Sequence, residues 1–117
     1  MTIHEALDEL AQSSGILSVA LLARDGRLLR GLGADQDSLS AAASAAAAAF
    51  TAALGFSDFL GRGEPRQATL DCESGPLLVT ATGADAGSPL IAVALDSMAS
   101  LGRVRFQLRV LLPQVEQ

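Results

Sequence analysis

Two stretches, "ILSVALLA" (Ile16 to Ala23) and "LIAVAL" (Leu90 to Leu95), are apolar at nearly every position. A strand with one face in water alternates polar and apolar residues, whereas a strand apolar on both faces must be covered on both. The two stretches therefore belong side by side in the middle of a sheet that carries helices above and below.

The remaining elements follow from local signals. Thr2 and Glu5 have the spacing of a capping box, so a first helix runs to about Ser13 with Ile3, Ala6, Leu7, Leu10 and Ala11 on one face and Gly15 as its stop. Asp25-Gly26 is a two-residue hairpin signal after the first strand, and "LLRGLG" returns as a second, edge-like strand. A helix capped by Asp37 or Ser38 places Leu39, Ala43, Ala46, Phe50 and Ala53 on one stripe and stops at Gly55. "GFSDFLGRGEP" then reads as a loop anchored by Phe56 and Phe59. Arg66 to Cys72 alternates Gln67, Thr69 and Asp71 against Ala68, Leu70 and Cys72, as a half-exposed strand does. "LLVTAT" forms the next strand. From Asp96 or Ser97 a last helix carries Leu101, Val104, Leu108, Leu111 and Val115 at helical spacing and ends or bends at Pro113. The expected fold is a three-layer α/β/α sandwich around a five-stranded mixed or antiparallel sheet, in the order α-β-β-α-β-β-β-α, with residues 1–117 forming one domain.

Composition excludes several function classes. The net charge is −5, and the eight arginines are scattered in a chain with no lysine, no Trp and no Tyr. Phosphate-backbone binding and base stacking both lack their residues, so nucleic acid is not an expected partner. Without lysine there is no phosphate loop, and "GLG" and "GRG" are turn fragments. His4, the sole histidine, has no nucleophile context, and Arg62 reads as a surface or salt-bridge arginine. Cys72 is the sole cysteine, which rules out an intrachain disulfide and reads as a small buried side chain. No cofactor or metal is expected, and the chain reads as non-enzymatic. No secretory signal opens it and no continuous apolar run of about 18 residues crosses a membrane, so the expected location is the cytoplasm.

The feature left over is the segment from Ser38 to Gly55, which holds no charge. A helix face in water normally carries charge, and alanine lets another backbone approach closely. One stripe covers the sheet, leaving the other alanines to meet another subunit.

"GILSVALLARDGRLL", the uncharged central helix, "LGRGEPRQATLDCESGPLLVTATG" and "DSMASLGRVRFQLR" together resemble the Roadblock/dynein light chain family, particularly its bacterial MglB-like branch, over almost the whole chain. The resemblance implies a profilin-like topology and a homodimer whose sheets join edge to edge through the third strand, with the central helices paired across the twofold axis. It also implies a role as platform or regulator for a small Ras-like GTPase. On this basis the candidate interface comprises Ala41, Ala45, Ala48, Ala49 and Ala52 on the helix and Gln67, Thr69 and Asp71 on the strand. A ligand-binding sensor module of PAS or profilin-like type, or a purely structural dimerisation module, are the alternatives. The core strands offer a ligand little polarity beyond Ser18.

Overall fold

The computed structural model of the chain describes residues 1–116. Helix α1 spans Ile3–Ala11, and the capping box forms as expected: the Glu5 amide donates to Thr2 Oγ1 and the Thr2 amide to Glu5 Oε1, both at 3.1 Å. Strands β1 (Ile16–Leu22) and β2 (Leu28–Leu32) make the first hairpin. Its loop is one residue longer than the two-residue turn expected, because the Ala23 amide bonds the Arg27 carbonyl across Arg24, Asp25 and Gly26. Strands β3 (Gln67–Leu70), β4 (Leu77–Ala81) and β5 (Leu90–Leu95) complete the sheet, and helix α3 (Leu101–Leu111) follows one short 3₁₀ turn and precedes another that contains Pro113.

The strand order is β2-β1-β5-β4-β3, and every neighbouring pair is antiparallel. The two doubly apolar strands are thus adjacent, with β5 at the centre. Their alternate residues feed two separate cores, one on each side of the sheet. Val19, Leu21, Ile91, Val93 and Leu95 meet Leu7 and Leu10 of α1 and Val104, Leu108 and Leu111 of α3 on one side. On the other, Leu22, Val79 and Leu90 meet Ala43, Ala46, Ala47 and Phe50 of the long central helix α2. The three layers are therefore α1 and α3, the sheet, and α2.

Helix α2 departs from expectation at both ends, spanning Gln36–Phe59. Its cap is Asp35, not Asp37 or Ser38. Both the Ser38 amide (2.9 Å) and the Ser38 hydroxyl (2.8 Å) donate to the Asp35 carboxylate, a pairing that a Ser or Asp further on would not obtain. At the other end the helix passes straight through Gly55. A glycine inside a helix costs about 1 kcal/mol relative to alanine, which does not terminate it when the next residues continue the helix. The stop comes at Gly61, whose φ of +65° lets its amide reach Asp58 O while the Arg62 amide reaches Ser57 O, the paired bonds of a Schellman motif. Phe56 and Phe59 thus belong to the helix rather than to a loop, and neither anchors anything: they are 69% and 91% exposed.

The cap gives a pH-dependent expectation. The Ser38 amide and then its hydroxyl hold the Asp35 carboxyl below the ordinary carboxylate range. Its contribution is fully present above the pKa of an unfolded aspartate, about 4, and is lost as pH falls through the lower folded value. Thermal melts followed by circular dichroism should show Asp35→Ala melting below the parent at pH 7, with the gap closing between pH 5 and pH 2. Asp35→Asn should melt close to the parent at neutral pH, since asparagine caps nearly as well.

Candidate protein interface

An α-helix turns about 100° per residue, so the buried set Leu39, Ala43, Ala46, Ala47 and Phe50 marks the face of α2 that lies on the sheet. Ala41, Ala45, Ala48 and Ala52 project from the opposite side and are all exposed. The extension of the helix past Gly55 lengthens that outward stripe, because Phe56 and Phe59 fall on the same side. It therefore runs from small residues at the N-terminal end to two exposed phenylalanines at the C-terminal end, without a charge between Ser38 and Phe56. Leu60, just past the helix, adds another exposed apolar side chain.

The flank of the helix next to β3 is apolar as well. Ala42, Ala45 and Ala49 form one wall of a groove of about 190 Å³, and Leu70 and Leu77 line it from the sheet. Leu70 and Leu77 are register partners on β3 and β4, and α2 leaves them 51% and 42% exposed. Ser18 is the one polar residue among those lining the groove. Beyond Leu70 the sheet ends, since β3 is an edge strand whose outer backbone groups meet no strand of this chain. An exposed edge beside an exposed apolar face is the surface that solitary soluble proteins avoid.

These observations sort the expected interface residues. Ala45 and Ala49 line the groove, while Ala41, Ala48 and Ala52 crown the helix. Gln67 and Thr69 lie on the other face of the sheet: Gln67 opposes Thr80 in the ladder and accepts a hydrogen bond from Arg105 Nε of α3 at 3.2 Å. Asp71 lies just past β3 and is exposed. Gln67 and Thr69 thus face away from α2, whereas the apolar alternate, Leu70, which was not among the expected residues, is the side chain beside the alanine helix. Leu77, Phe56 and Phe59 were also missed. Cys72, expected to be buried, is exposed at the end of β3. β3 is only four residues long, so the alternation that placed Cys72 inside stops before reaching it.

The length and hydropathy of α2 bear on the question of a membrane. By length and composition α2 is apolar enough to cross one, with a best window of mean hydropathy 1.6 of which only 28% is buried. Scattered serines and a threonine broke the continuous run without removing its hydropathy. The unburied apolar share is the same outward stripe and groove wall described above.

Among the described residues no group of three His, Cys, Asp or Glu side chains stands close enough to hold a metal.

Comparison with known proteins agrees with this architecture. Residues 2–87 match the family model of the Roadblock/LC7 domain. A Roadblock/LC7 domain from Streptomyces avermitilis is 24% identical, covers 97% of this chain and 98% of its own, and superposes with a TM-score of 0.75. MglB from Myxococcus xanthus is 22% identical, with 96% and 83% covered and a TM-score of 0.81. The gliding protein MglB from Thermus thermophilus is 22% identical, with 89% and 78% covered and a TM-score of 0.74. No curated protein matches the chain. With a family match over most of its length and the same sheet and helix layout, the chain belongs to the Roadblock/LC7 family.

Proposed function

We propose that this protein is a homodimeric scaffold or regulator for a small Ras-like GTPase, of the MglB-like kind, acting in the cytoplasm and without catalytic residues of its own. The observation that carries the proposal is the uncharged outward stripe of α2, which ends in Phe56 and Phe59 and borders the open edge of β3. If two α2 helices pack antiparallel across a twofold axis, the phenylalanines of one meet the alanines of the other, so large residues fill the space that small ones leave. The β3 edges then pair, which satisfies their outer amides and carbonyls. One MglB relative has been solved in a tetrameric arrangement, which supports self-association in proteins of this shape.

The groove beside α2 does not suit a small-ligand sensor. Its volume of about 190 Å³ falls short of the roughly 300 Å³ at which ligand pockets begin, and Ser18 alone offers a hydrogen bond from its lining side chains.

Phosphate release from a small Ras-like GTPase of the same organism tests the partner. The chain alone should neither bind nor hydrolyse GTP, because it has no lysine with which to hold the phosphates. Added as a dimer, it should form a complex with the GTPase and change its turnover. Complex formation with unchanged turnover identifies a scaffold rather than a regulator, and absence of any complex refutes the partner class.

A further inference from the structure

The opposite side of the sheet from α2 carries a second, larger groove of about 730 Å³, between the start of β3, the end of β4 and the C-terminal half of α3. Arg66, Arg105 and Arg109 all line it. Elsewhere in the chain Arg27 and Arg30 are ion-paired with Asp25 and Asp8, at 3.0 and 2.6 Å. Among the described residues the three groove arginines have no carboxylate partner, although the chain has 13 acidic residues to only eight basic ones. The only side-chain partner for the three is Gln67, which accepts from Arg105. A cleft lined by one sign of charge concentrates its field on whatever enters, and this one is positive in an acidic protein.

We propose that the groove binds an acidic segment of another polypeptide in extended conformation. Arg105 and Arg109 are one helical turn apart, about 6 Å along α3. Alternate residues of an extended chain repeat at about 6.6 Å and share a face, so carboxylates two residues apart match the two guanidinium groups, with Arg66 taking a third. Leu112, Pro113 and Val115 form an apolar end to the groove, suited to an apolar side chain of the same segment. Three guanidinium groups spread over the groove match carboxylates spaced along a chain better than a phosphate, which gathers its charge at one point. Gln67 faces this groove, while pairing of β3 with a second copy uses the backbone of the strand. The groove belongs to one copy of the chain, and the proposal does not rest on the proposed dimer.

Fluorescence anisotropy with a labelled decapeptide carrying glutamate on alternate residues and one leucine tests the proposal. The parent protein should bind it, more weakly as salt rises. Arg105→Ala or Arg109→Ala should weaken binding about threefold, and the double Arg105→Glu, Arg109→Glu variant at least about tenfold, the range of exposed ion pairs. Arg27→Glu, at the far hairpin, should bind as the parent does. A peptide of the same composition with its glutamates consecutive should bind several-fold more weakly. The proposal is overturned if the parent fails to bind at low salt, if the arginine variants bind equally well, or if pyrophosphate binds while the peptide does not. Far-ultraviolet circular dichroism identifies any variant that fails to fold, and the single alanine variants then decide the result.

Discussion

Gly75→Ala is expected to destabilise the protein by more than about 3 kcal/mol, a large part of the 5–15 kcal/mol that holds a small domain together. Gly75 turns the chain between β3 and β4 with a φ of +128°, a conformation that residues with a side chain rarely adopt. A Cβ there would stand 2.3 Å from the Leu95 carbonyl oxygen and 3.0 Å from Asp96 C, both backbone atoms at the end of the central strand. Neither can rotate away, so relief requires moving the end of β5 or the turn itself. The register is fixed by Leu77 opposite Ala94 and by the Leu95 amide bonding the Pro76 carbonyl, which limits that movement. Urea unfolding should show the midpoint falling sharply. Gly87→Ala is the control, since a Cβ at Gly87 meets nothing within 4 Å and its midpoint should stay close to the parent value.

The second large effect concerns association rather than folding. Ala45 is exposed, so glutamate there costs the isolated chain nothing in packing and suits a helix. In the proposed dimer the same carboxylate is buried against a second α2 with no positive partner, because that stretch of helix is uncharged. An unpaired buried charge costs about 3–5 kcal/mol, which weakens dimerisation at least about a hundredfold. Ala45→Glu should therefore yield a folded monomer with unchanged circular dichroism and should lose its effect on the GTPase. Ala45→Ser, which adds little volume and no charge, should remain dimeric.

The three layers, the adjacency of β1 and β5 and all three helices were legible in the sequence because the signals are periodic and long. Two doubly apolar strands demand cover on both faces, and the Thr2–Glu5 box and the α3 stripe each repeat one physical requirement several times. Single-residue signals were less dependable. Gly55 looked like a stop, yet one glycine costs too little to end a helix whose next four residues are helix-competent. Gly61 ends it because the Schellman bonds form there.

The interface was legible in part. Absence of charge located the helix, since water demands polar groups and a partner does not. On β3, Gln67 and Thr69 came with the resemblance, and no local signal singled out Leu70, the exposed apolar side chain. Leu77 carries no signal that separates it from its buried neighbours Leu78 and Val79, and its exposure beside α2 is a tertiary property. The arginine groove had no local signature. Arg66 is some 40 residues from Arg105 and Arg109 in the chain, and the fold alone brings the three to one cleft.

Static light scattering at micromolar concentration, on the parent and on Ala45→Glu side by side, tests the central claim most directly. The parent should give twice the 11.9 kDa chain mass, and the variant the chain mass itself. A parent protein that remains monomeric up to its solubility limit would contradict the account, as would an Ala45→Glu variant that keeps the dimer mass.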